Sequence, residues 1–196
     1  MKMFKRFAAA LLAGVMVLAM LTACGGGSAP ASLAERAQSL AEQGIAAGLG
    51  NGGTNDKELT QKAYNEMARI DKDGNLDMNA VTPNEEGEQE KLRAYMEAVD
   101  EGKKAEACTI TIYTLTEDLD LESGKGSAYE LTEETLQSLA LEKSKSFVAE
   151  QKETAMSFSE NAVFHVGVAV REVNGKTYIG WAVRIDLPEV PAQNAE

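Results

Sequence analysis

Apolar and polar residues follow one another along this chain in three rhythms, and each predicts a different kind of segment. The first is an apolar run from Phe7 to Leu21, preceded by Lys2, Lys5 and Arg6 and free of acidic residues as far as Cys24. A membrane-spanning helix needs about 20 apolar residues, so a shorter run with a basic start reads as the n-region and h-region of a cleavable secretory signal. The second rhythm repeats every three to four residues and predicts helices. Ser32 and Glu35 form a capping box ahead of Leu33, Ala37, Leu40 and Ala41. A stripe made mostly of alanine predicts weak packing for that helix, and Gly44, Gly48, Gly50, Gly52 and Gly53 then predict a loose turn. A second helix over 56–70 carries Leu59, Ala63, Met67 and Ile70 on one face. A third starts at Thr82 and Pro83, with Glu85 completing a capping box, presents Leu92, Tyr95, Met96 and Val99, and stops at Gly102. Thr132 opens a fourth, whose stripe is Leu136, Leu139, Ala140 and Phe147.

The third rhythm has a period of two. Cys108 to Leu115 alternates as a strand, with Cys108, Ile110 and Ile112 on one face. The acidic segment Glu117 to Tyr129 reads as a loop or an irregular strand extension. The strongest signal is Asn174-Gly175, which supplies the positive φ angles of a two-residue type I′ turn and therefore sets a register. Counting outward from it pairs Phe164 with Ile185, Val166 with Val183, Val168 with Trp181 and Val170 with Ile179, all apolar. The other face pairs His165 with Arg184, Gly167 with Ala182, Ala169 with Gly180, and Arg171 with Tyr178. That face is a smooth Gly/Ala strip between polar ends, suited to close approach of a helix.

Leu21-Thr22-Ala23-Cys24, followed by Gly25-Gly26-Gly27-Ser28, resembles the lipobox of bacterial lipoproteins. The resemblance implies that the Cys24 sulfur receives a diacylglyceryl group, that residues 1–23 are removed, and that the new terminus is acylated, palmitate being a typical chain. Two or more acyl chains hold a protein to a membrane where one holds it marginally. The implied location is a cell membrane, on its extracytoplasmic side. Residues 24–32 would then be the lipidated cysteine and a flexible Gly/Ser/Ala/Pro tether.

Losing Lys2, Lys5 and Arg6 with the signal takes the formal charge from −12 to −15. Such a chain lacks the basic face that nucleic acids and anionic lipid head groups require. Cys108 is the one cysteine besides Cys24, which leaves no intramolecular disulfide and no Cys-based zinc site once Cys24 is lipidated. Its register with Ile110 and Ile112 points it into the core, where thiols are inert.

Three further features carry residue types that could form sites. Asp71-Lys72-Asp73-Gly74-Asn75-Leu76-Asp77 is similar to an EF-hand calcium loop, but aligning Gly74 at the sixth position puts Arg69 first and Ala80 twelfth, where acidic ligands are needed. A helix-terminating turn is the better reading, and no metal site or cofactor is expected. His165 is the only histidine; it has no evident Ser, Cys or carboxylate partner in the sequence and reads first as a surface strand residue, with ligand binding beside Arg184 as the alternative. The segments His165-Val166-Gly167-Val168-Ala169-Val170, Asn174 to Tyr178 and Trp181 are similar to the closing hairpin of CAP (SCP-like) domains, and the helix from Thr132 to Gln151 resembles an early helix of that family. The middle section of that family, with its paired histidines, is absent.

Together these readings predict an α+β fold, with N-terminal helices and a small antiparallel sheet of about three strands ending in a β-hairpin. The domain should span 33–190, helical over 33–102 and strand-helix-hairpin over 103–190, with a disordered tail at 191–196. The expected function is a non-enzymatic binding or structural module of a bacterial envelope, with a protein or envelope component as partner. The alternative is a small envelope enzyme or reduced CAP-like domain using His165.

Overall fold

A 12-residue strand at the end of the chain organises everything else. In the computed structural model, which describes residues 31–50, 54–81 and 87–192, the elements run as α1 (Leu33–Leu49), α2 (Lys57–Glu66) with a 3-10 turn (Met67–Arg69), β1 (Asn75–Asp77), α3 (Glu88–Asp100), β2 (Cys108–Thr114), β3 (Thr116–Asp120), β4 (Lys125–Leu131), a π-helical stretch (Leu136–Lys143) continuing into α4 (Ser144–Phe158), β5 (Val163–Val173) and β6 (Lys176–Leu187). The signal segment, Cys24 and the tether through Pro30, the Thr82-Pro83-Glu85 helix start, Gly52 and Gly53, and residues 193–196 lie outside the described residues.

The fold is α+β, and the described sheet has six antiparallel strands, where about three were expected. β6 pairs with β5 along one side from Val163↔Asp186 to Val173↔Lys176. Its other side is shared by β2, over Cys108↔Leu187 to Thr114↔Trp181, and by β4, over Tyr129↔Ile179 to Leu131↔Thr177. Two of the extra strands, β3 and β4, come from the 117–129 segment and its flanks, which form a strand extension rather than a loop, and the third is the short β1. β3 continues β2 after Leu115, turns, and returns as β4, which also pairs with β1. Ala105 and Val190 exchange backbone hydrogen bonds of 2.9 and 3.0 Å and tie down the chain end.

The hairpin register is the one the turn dictated, with Asn174 at φ 53° and Gly175 at φ 80°. Its apolar face meets α1 and α4. There Trp181, fully buried, stacks edge-on to Tyr129 at 5.1 Å, lies 5.7 Å from Phe147, and donates its indole N–H to the buried Ser144 Oγ at 2.9 Å. Cys108 is buried among these residues, and burial pushes its thiol pKa up, as an inert core cysteine requires.

The Gly/Ala strip is covered by α2, which brings Leu59, Ala63 and Met67 against Ala169, Ala182 and Tyr178. A Cβ on Gly167 would stand 2.4 Å from the Thr60 backbone nitrogen, so helix and strand touch through their main chains. The hairpin is thus covered on both faces.

Two expectations are corrected in α1. Gly44 and Gly48 are not a turn; both lie inside the helix, one turn apart, against the π stretch and α4. A Cβ on Gly44 would meet Leu141 O at 2.4 Å and Ser144 Cβ at 2.8 Å, and one on Gly48 would meet Val148 Cβ at 2.6 Å. Nor does the helix pack weakly: Ala37, Ala41 and Ile45 are fully buried, because small residues let the two backbones approach closely. The helix ends where a glycine does act as a terminator, at Gly50 with φ 67°.

Candidate functional site

His165 and Arg184 do meet across the hairpin, and α2 adds carboxylates that the register alone did not supply. The His165 Nδ1 lies 3.9 Å from Asp56 Oδ2, and Nε2 lies 3.4 Å from Asp186 Oδ2. Arg184 approaches Asp186 Oδ2 to 3.5 Å and Glu58 Oε2 to 3.8 Å. Asp186 also accepts a 2.8 Å bond from Thr109 Oγ1, while Asp56 caps α2 by accepting from the backbone N–H groups of Glu58 and Leu59. Acid–base work needs a partner within about 2.6–3.2 Å and a group to activate. The hydroxyl beside this cluster, Thr109, is already donated to Asp186. The arrangement is an electrostatic clasp between the start of α2 and the hairpin, 38% exposed at His165. Screened pairs of this kind contribute about 0–1 kcal/mol each.

The Asp71–Asp77 segment is a turn closed by its own backbone. Asp71 Oδ1 accepts from the backbone N–H groups of Asp73 and Asn75, both at 2.9 Å, and these bonds, that from Asn75 first, hold its carboxyl below the ordinary range. Gly74, at φ 87°, sits beside the Tyr178 hydroxyl. Among the described residues no group of three or more His, Cys, Asp or Glu side chains is placed to hold a metal ion.

One concave feature was not foreseen. A groove of about 660 Å³ runs between α1 and α2 beside the outer edge of β5, with Gln38, Glu42 and Gln43 on one wall, Thr60, Gln61 and Tyr64 on the other, and Ala169 at its base. Its origin lies in how the sheet edge is closed. The turn register directs the backbone groups of odd-numbered β5 residues toward β6 and those of even-numbered residues outward. Three of the outward residues are met by side chains or by the chain entering α2. Asn55 mimics a strand residue: its Oδ1 accepts from Val168 N–H at 2.8 Å and its Nδ2 donates to Val168 O at 3.3 Å. Gln38 Oε1 accepts from Val170 N–H at 2.8 Å, Gln38 Nε2 donates to Val168 O at 3.2 Å, and Asp56 N–H donates to Val166 O at 2.8 Å. Open strand edges invite pairing with other chains, and these amides block that. They also fix the two helices on either side of the edge and leave the groove between them.

On the far edge Glu88 acts similarly, its buried carboxylate accepting from Thr111 N–H at 2.9 Å. Tyr64 is held by Arg171, whose guanidinium lies 4.4 Å from the ring centroid and donates to Tyr64 O at 2.7 Å. His165 and Arg184 do not line the groove. No protein-family model, curated protein or solved structure matches the chain.

Proposed function

We propose that this protein is a lipid-anchored binding module on the extracytoplasmic side of a bacterial cell membrane, attached through Cys24 and holding its ligand in the groove between α1 and α2. The groove carries the reading. Its volume falls within the roughly 300–1,000 Å³ of small-molecule sites, and two of its polar side chains, Gln38 and Asn55, are already locked onto β5. Locking them before a ligand arrives lowers the ordering cost of binding. The anchor rests on the basic start, apolar run and lipobox-like residues ending at Cys24. The formal charge of −12, or −15 without the signal, favours a partner other than a polyanion.

The test has two parts. In cells labelled with a radioactive fatty acid, the wild-type chain should carry label and Cys24→Ser should not; an unlabelled wild-type chain defeats the anchor. Pull-down from native membranes with the full chain should recover a partner that is reduced when groove residues are replaced, and recovery indifferent to such changes defeats the groove.

A second reading, acid–base chemistry at His165 in a small envelope enzyme or reduced CAP-like domain, draws on the two carboxylates flanking the imidazole. It requires a turnover lost in His165→Gln with the fold intact.

A further inference from the structure

We infer that the ligand of the groove is a neutral saccharide; this rests on the binding-module reading and specifies it. Four observations point the same way.

The first is charge. In a chain of formal charge −12 the groove walls carry, among the described residues, one acid, Glu42, and one base, Lys57, which cancel. An anion would find no cluster of cations there, and a cation no cluster of carboxylates.

The second is the chemistry of the remaining polar groups. Beside Gln38 and Asn55, which are spent on β5, stand Ser39, Gln43, Thr54, Thr60 and Gln61, all amides or hydroxyls of the kind that donate and accept. A sugar hydroxyl also does both. Several of these groups keep capacity after their internal bonds are counted: Gln43 spends Nε2 on Ser39 Oγ at 3.3 Å and Gln61 spends Nε2 on Asn65 Oδ1 at 2.9 Å, which leaves each side-chain oxygen as an acceptor.

The third is the aromatic wall. Tyr64 is 39% exposed with one ring face held by Arg171, and the other can give a flat surface for the C–H face of a sugar ring. The groove base is alanine, which offers shallow apolar contact and no deep pocket for an aliphatic or aromatic ligand.

The fourth observation separates a saccharide from an extended peptide. A peptide entering beside a sheet edge binds by adding a strand, using the backbone groups of that edge. Here Val166 O, both backbone groups of Val168 and Val170 N–H are already engaged by Asp56, Asn55 and Gln38, which interrupts the edge a strand would need. Recognition is left to side chains.

The experiment uses the full chain purified from membranes in lipid nanodiscs and reads saturation transfer from protein to ligand by NMR. The probes are triacetylchitotriose, maltotriose and, as the peptide arm, N-acetyl-trialanine amide. Gln43→Ala/Gln61→Ala is the variant, because alanine at helix-surface positions leaves the fold and its melting temperature unchanged. A saccharide signal should appear with wild type, persist from low to high salt because the ligand is uncharged, and weaken about tenfold or more in affinity in the variant, as expected for two lost hydrogen-bonding groups. Absence of signal from both saccharides overturns the inference, as does a signal equal in the variant. Trialanine signal alone, lost in the variant, overturns the saccharide while preserving the groove as a site. If no probe gives signal and membrane pull-down is also the same for wild type and variant, the binding-module reading falls with it.

Discussion

Replacing Gly167 and Gly180 separately by alanine tests how α2 lies on the sheet, because the same methyl group meets different obstacles at the two positions. At Gly167 the added Cβ would stand 2.4 Å from Thr60 N and 2.7 Å from Leu59 C, both main-chain atoms of α2. The helix cannot yield there without losing its own hydrogen bonds or the Asp56 N–H bond to Val166 O. At Gly180 the nearest atom is Leu115 Cδ2 at 2.5 Å, the end of a side chain that can rotate, followed by Met67 Sδ at 3.3 Å. Overpacking against rigid neighbours costs about 1–3 kcal/mol. Replacing glycine at an ordinary φ returns about 0.4–1 kcal/mol through the unfolded chain. Gly167→Ala should therefore destabilise by about 2 kcal/mol, and Gly180→Ala should stay within about 1 kcal/mol of wild type. For a domain of this size the difference amounts to about 4–8 °C in melting temperature. Trp181, the only tryptophan and fully buried, is the fluorescence probe for urea melts of both variants. Equal midpoints, or a larger loss at Gly180, would refute the placement of α2 against the strip.

Three other outcomes follow from named contacts. Ser144→Ala leaves the buried Trp181 indole N–H without its 2.9 Å acceptor and should cost about 1–3 kcal/mol, read by the same melts; an unchanged midpoint would mean the bond contributes nothing. Gln38→Ala/Asn55→Ala strips the side chains that occupy the β5 edge, so sedimentation velocity should show concentration-dependent self-association absent in wild type, and a strictly monomeric variant counts against the guarding role. Asp118 and Asp120 are held below the ordinary carboxylate range, chiefly by the backbone N–H groups of Ser127 and Glu122. A folded value below the unfolded one gives stability that is present above about pH 4 and lost as pH falls through the folded value. Urea midpoints measured from neutral to strongly acidic pH should therefore fall less steeply for Asp118→Asn, whose amide oxygen can still accept from Ser127, and an identical slope would contradict this.

Much of the fold was legible because it is decided over short stretches of chain. The two-residue Asn174-Gly175 turn admits one register, so every pair out to Val163 and Asp186 follows, including His165 beside Arg184. The Ser32–Glu35 capping box closes within one helical turn for the same reason. Residues whose meaning depends on a distant neighbour were misread or missed. Gly44 and Gly48 look alike as turn formers or as small residues in a helix interface, and only the approach of the π stretch and α4 from about a hundred positions away selects the second. The 117–129 segment reads equally as loop or strand extension, and the second holds because β4 finds β1 and β6, a pairing that its acidic, irregular pattern does not announce. Asp56 and Glu58 join His165 and Arg184 only when α2 lies across the strip. The groove is the extreme case: Gln38 and Asn55 lie 130 and 113 positions from Val168, and nothing in the local spacing of two polar amides marks them as partners of a strand edge. Local geometry is written in neighbouring residues. Which surfaces close on one another depends on how the whole chain covers both faces of the hairpin, and that is settled only in three dimensions.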